Sequence, residues 1–120
     1  MSTDRRRFSR VNFVTEASLE VEGDRYPVQI LNLSLKGCLL EMPSSSTWEI
    51  GSSALLRFQL VGSPVELCFH GSLIHRNGQH LGYRFERVEL ESMTHLRTLL
   101  EYNLGDPAQV EREVYLMVRD

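Results

Sequence analysis

Four arginines crowd the start of the chain, Arg5, Arg6, Arg7 and Arg10, and further along stands the run Asn32-Leu33-Ser34-Leu35-Lys36-Gly37. A guanidinium is a planar fork that keeps its charge. It can bond two oxygens of a phosphodiester at once, bond guanine O6 and N7, or stack on a base. Asn and Ser add short side-chain donors and acceptors, and Gly permits the backbone conformations a tight bend needs. The first piece can grip an anion and the second can finish the grip, so together they read as a site for a phosphate-rich nucleotide. An arginine cluster alone is more often a solvated tail. Its pairing with Asn32, Ser34 and Gly37 is what argues for chemistry.

The chain that holds these pieces together has 120 residues, 42% hydrophobic and 24% charged. That is the make-up of one globular domain, long enough to bury a core without disulfides or a structural metal. No apolar run reaches the length of a membrane span, and the basic start lacks the apolar segment of a secretory signal, so a cytoplasmic protein is expected. Cys38 and Cys68 have no ligand-pair spacing and are expected to be reduced, small and buried. Residues 1–10 carry a net charge of +3 and the remaining 110 residues −6, within a total of −3. A basic arm on an acidic body argues against general nucleic-acid binding, which needs a broad positive face, and favours a focused anion site. His70, His75 and His80 are evenly spaced, yet no third ligand stands near the Asn77-Gly78 turn, so no metal site is expected. No local pattern suggests a Ser, His and acid set or an activated cysteine, and catalysis is not expected.

Periodicity supplies the elements that must position the site. Phe13, Ala17, Leu19 and Val21 fall mostly two apart with polar residues between them, as in a half-buried strand. Gly23-Asp24 breaks that pattern, and Tyr26, Val28 and Ile30 begin a second strand, giving an antiparallel hairpin. Cys38 to Met42 reads as a short third strand. Pro43 to Thr47 reads as a loop, with Trp48 and Ile50 anchoring its far side. Ala54 to Leu60, Val65 to His75 and Gln79 to Val88 are further strands, the last two joined by Asn77-Gly78, a strong hairpin signal. Six short strands most easily hide their edges by closing into a barrel. The last third changes period. Ser92 is expected to cap a helix with Met93, Leu96, Leu99, Leu100 and Leu104 on one face, ended by Gly105. Asp106, Pro107 and Gln109 then start a second helix with Val110, Val114, Met117 and Val118 on its apolar side and Glu111 and Glu113 on an exposed acidic face.

Arg-x-x-x-Arg followed by Asn-x-Ser-x-x-Gly resembles the double signature of the PilZ domain, the bacterial receptor for cyclic di-GMP. Ile50-Gly51 before the strand Leu55 to Leu60, Gly71-Ser72-Leu73-Ile74 leading to Arg76, and Leu81-Gly82-Tyr83-Arg84-Phe85 resemble the rest of the family pattern in order. The likeness covers most of the chain. It implies a mainly β fold, a six-stranded antiparallel β-barrel with C-terminal α-helices. The expected organisation is a flexible arginine-rich arm over residues 1–10, the barrel with the first helix over 11–105, and the second helix over 106–120. It further implies that Arg6 and Arg10 hold phosphates and guanine edges, with Arg7 as a further candidate. Asn32 and Ser34 would bond a guanine or nearby phosphate, and Gly37 would shape the turn. Arg5, directly before the motif, goes in the family with a stacked cyclic di-GMP dimer. His75 stands where similar proteins can carry an aromatic residue against a guanine. Many members have Asp at the position of Asn32, and a neutral amide is a weaker acceptor for guanine N–H groups.

The function implied is that of a monomeric sensor or adaptor. It would bind cyclic di-GMP, change shape and regulate an effector protein in motility, adhesion or exopolysaccharide production, with no cofactor beyond that ligand. The other reading is a protein-interaction module that works without nucleotide, as in relatives lacking the arginines.

Overall fold

Alternation decides the strands. In the computed structural model, which describes residues 8–42 and 48–119, six strands form: β1 (Val11–Val21), β2 (Asp24–Leu33), β3 (Gly37–Glu41), β4 (Ser53–Gln59), β5 (Glu66–Asn77) and β6 (His80–Val88). Two helices follow, α1 (Leu90–Leu104) and α2 (Pro107–Arg119). All strand neighbours are antiparallel, and the order β1-β2-β3-β6-β5-β4 closes into a barrel. The all-β barrel read from the alternation and implied by the family likeness is the observed architecture. The loop expected at Pro43 to Thr47 lies outside the described residues.

Of the residues the period marks, Leu19, Val21, Val28 and Ile30 are buried, whereas Phe13, Ala17 and Tyr26 are only partly so. Leu19, Ile30, Leu33, Leu40, Leu56, Leu67 and Phe69 are fully buried, and each contributes on the order of 1.5–3 kcal/mol of transfer free energy. Tyr83 is the polar exception. It is 1% exposed, and its hydroxyl lies 2.9 Å from the carbonyl of Ala54 and 2.7 Å from that of Phe69, donating to either. Burial pushes this phenol well above its ordinary range, so it stays a donor at any working pH. Tyr83→Phe removes a bond at no cost in packing. It is expected to lower stability by about 1–3 kcal/mol, read as an earlier midpoint in urea.

Several local expectations are corrected. The β1–β2 turn is Glu22-Gly23 rather than Gly23-Asp24. Both turn residues have positive φ, 55° and 88°, the geometry a two-residue hairpin needs. Helix α1 starts before Ser92: Glu89 is its N-cap, without a side-chain cap bond. Ser92 instead faces the barrel, and its hydroxyl accepts the Cys68 N–H at 3.0 Å, so a tertiary bond has displaced the capping role. Gly105 closes α1 in the left-handed region, and Asp106 caps α2 through the Gln109 N–H at 3.3 Å. Trp48 packs edge-on against Tyr26 at 4.7 Å, and its carbonyl accepts from Arg76. Ile50 takes no part and is 54% exposed. Cys68 is only partly buried.

Glu113 is not on an exposed acidic face. It follows Val110 by three residues and precedes Val114, so the helical repeat carries it to the apolar side, where it is 5% exposed. Among the described residues no helix is long and apolar enough to cross a membrane.

Candidate functional site

The second motif is built by a bulge and a turn. Val28 and Ile30 point inward, and unbroken alternation would send Asn32 after them. The ladder with β3 instead slips between Ile30 and Asn32: Ile30 faces Leu40, and Asn32 faces Leu39. That extra residue moves the next core position to Leu33 and turns Asn32 to the outer face. A second slip, between Leu73 and His75 on β5, does the same for His75.

The register then lays one outward row across the barrel, with Asn12 beside Asn32, Asn32 beside Leu39, Leu39 beside Gly82 and Gly82 beside His75. Three strand spacings separate Asn32 from His75, about 14 Å. Gly82 leaves the position beside His75 without a side chain. A Cβ there would stand 3.1 Å from the His75 Cβ.

After Leu33 the chain turns through Ser34, Leu35 and Lys36. Ser34 is 2% exposed. Its hydroxyl accepts the N–H groups of Lys36 and Gly37, each at 3.2 Å, and it lies 3.2 Å from the Gly37 carbonyl as a donor. Its own N–H also bonds that carbonyl, at 2.9 Å. Leu35 is buried in the core, and the Lys36 carbonyl accepts from Phe85 N–H at 2.8 Å. Ser34 thus builds the turn from within. Gly37 serves a different purpose from the bend expected of it, since its φ is not positive. A Cβ at Gly37 would lie 2.2 Å from the Tyr83 carbonyl oxygen, so Gly is present because β3 and β6 approach too closely for any side chain.

The arm meets this surface. Arg10 Nη1 donates to Asn32 Oδ1 at 2.9 Å, joining the last arginine of the first motif to the first residue of the second. Phe8, placed to pin the arm, packs against the core, with the Lys36 ammonium 5.6 Å from its ring centre. Ser9 bonds Glu113 on α2. Arg5, Arg6 and Arg7 lie outside the described residues.

A groove of about 680 Å³ runs along α2, and its lining includes Gln109, Arg112 and Glu113. Cys38 follows Gly37 and faces the interior. Burial pushes its thiol far above the ordinary range, and nearby Arg10 offsets this only in part, the reverse of what a nucleophilic thiolate needs. Among the described residues no three His, Cys, Asp or Glu side chains are grouped as metal ligands would be.

Sequence reasoning missed Glu113. The signal was its place on the apolar face of α2, four residues after Gln109.

The arrangement is an outward row of Asn12, Asn32, Leu39, Gly82 and His75 with the Arg10 guanidinium bonded to Asn32, a surface on which a planar base can lie while a guanidinium meets a phosphate. Comparison with known proteins gives the family. The PilZ domain model matches residues 4–102. The fold is similar to the crystal structure of the PilZ domain of CeSA from a cellulose-synthesizing bacterium, with a TM-score of 0.62 and 13% identity over 81% of this chain and 96% of that one. With the match running from the arginine arm into α1, the chain belongs to the PilZ domain family.

Proposed function

We propose that this chain is a receptor for cyclic di-GMP, binding the nucleotide between the arginine arm and the outer row of the barrel. The observation that supports the reading is the Arg10–Asn32 hydrogen bond, which brings the two halves of the signature within reach of one ligand. In this reading Arg6 and Arg10 hold the phosphates and guanine edges, with Arg7 adding a further fork. Asn32 presents its amide to a base, and His75 stacks against a guanine across the gap at Gly82. Ser34 and Gly37 act through the turn they shape.

Arg5 favours a stacked dimer of the ligand. Closing of the arginines that precede Phe8 around the ligand changes the surface of this monomer, and a protein partner in motility, adhesion or exopolysaccharide production reads the change. Several charge-assisted bonds to a dianion make the affinity fall with salt.

The test is isothermal titration with cyclic di-GMP at two salt concentrations, with GTP and cyclic di-AMP as controls. Selective binding that weakens with salt is expected, near two nucleotides per chain. A value near one keeps the receptor and removes the role of Arg5. Absence of heat together with absence of competition overturns the reading and makes nucleotide-independent protein binding the better one.

A further inference from the structure

Three consecutive arm residues are fastened to three parts of the molecule. Phe8 is held by the core and the β2–β3 turn, and Arg10 by Asn32. Between them Ser9 is held by the last helix. Its N–H donates to Glu113 Oε1 at 3.0 Å, and its hydroxyl donates to Glu113 Oε2 at 2.6 Å. Gln109 Nε2 donates to the Ser9 hydroxyl oxygen and, at 3.2 Å, to Glu113 Oε2. Glu113 is 5% exposed. A carboxylate this buried is tolerated only when its oxygens are satisfied, and two of its three bonds come from the arm. Helix and arm therefore hold each other.

We propose that Glu113, aided by Gln109, is a positioning residue for nucleotide capture: α2 fixes Ser9 and so sets the next residue, Arg10, against Asn32 before the ligand arrives. The proposal rests on the receptor reading above. An arm already docked has less backbone entropy to lose on binding, and fixing even one residue is worth roughly a tenfold change in affinity. By linkage the ligand must stabilise the docked α2 by the same factor that α2 strengthens ligand binding. The sign separates positioning from simple electrostatics. Glu113 carries the same charge as the ligand, so if only its field mattered, removing it would tighten binding.

The experiment is titration of cyclic di-GMP into the full chain and its Glu113→Ala, Glu113→Gln and Ser9→Ala variants at one salt concentration, with amide exchange followed in parallel. Glu113→Ala is expected to bind about tenfold or more weakly, with faster exchange at Ser9 and Arg10 and unchanged protection in the barrel strands. Glu113→Gln keeps an acceptor for the Ser9 N–H and is expected to stay near wild-type affinity. Equal or tighter binding by Glu113→Ala overturns the proposal. If that variant does not fold, Ser9→Ala leaves the helix intact and decides the matter: weaker binding supports positioning and unchanged binding overturns it. A wild-type chain that fails to bind cyclic di-GMP overturns the receptor reading and this proposal together, whereas binding that is indifferent to the variants overturns positioning alone.

Discussion

Arg10→Ala is expected to leave the barrel folded and to weaken cyclic di-GMP binding by about two to three orders of magnitude. The arginine lies at the surface, so deleting it opens no cavity, and loss of its bond to Asn32 costs stability no more than about 1 kcal/mol. Toward a phosphodiester the loss is larger. Each charge-assisted hydrogen bond is worth about 1.5–3 kcal/mol, and a guanidinium fork makes two. Arg10→Lys keeps the charge and loses the fork, so it should fall between the two proteins. The salt dependence should also flatten in Arg10→Ala, because one cation fewer meets the ligand. Titration alongside a thermal melt checks both halves. Wild-type affinity in Arg10→Ala would remove Arg10 from the site, and a collapsed melt would make its role structural.

The second large effect is on stability. Gly37→Ala should destabilise the chain by about 3 kcal/mol or more, lowering the melting temperature by roughly 10 °C or more. The added Cβ would sit 2.2 Å from the Tyr83 carbonyl oxygen and 3.2 Å from the Arg84 Cα. Both are backbone atoms, and neither can rotate away, so the β3–β6 ladder must part. Ser34 loses its geometry with it, because its hydroxyl bonds are to Gly37 and Lys36. Ligand affinity should therefore drop even where the variant is still folded. Gly82→Ala is the contrast. There the nearest atom is the His75 Cβ at 3.1 Å, a crowding that a shift of a few tenths of an ångström at this exposed edge of the row relieves, so the melt should move far less. Equal melts for the two variants would refute the close-approach account of Gly37.

The strands were legible because a period of two is a local property: Leu19 and Val21, and likewise Val28 and Ile30, stand two residues apart with a polar residue between them. The aim of Asn32 was not. Read along the chain it continues the inward series Val28, Ile30, and only the slipped register against β3 turns it out. Ser92 and Glu113 failed for one reason. Each is polar, each was assigned to solvent or to a cap, and each found a partner far away in sequence, Cys68 for one and Ser9 for the other. The inward side of α2 marks Glu113 locally, but the distant partners that satisfy these two buried groups lie in no window of neighbouring residues. The residue types of the site could be read in advance, since Arg10 and Asn32 announce their chemistry. Their direct bond could not, nor could the inward commitment of the Ser34 hydroxyl.

The ring of strands is not uniformly strong. Strand β1 runs beside β2 for most of its length, from Val11 to Val21, yet it meets β4 only where Ser18, Leu19 and Glu20 face Arg57, Leu56 and Leu55. Helix α1 touches both β1 and β5, the strands on either side of β4. It thus acts as a strap across the join with the shortest paired register. Opening of the native state should begin there: with α1 peeled away, few ladder bonds keep β4 on β1, and the cylinder relaxes to an open sheet while the β2–β3 turn keeps its own hydrogen bonds. Since α1 packs against α2 and α2 holds Ser9 beside Arg10, loosening of this seam also loosens the arm, so breathing of the fold and capture of a ligand are coupled motions in one small protein.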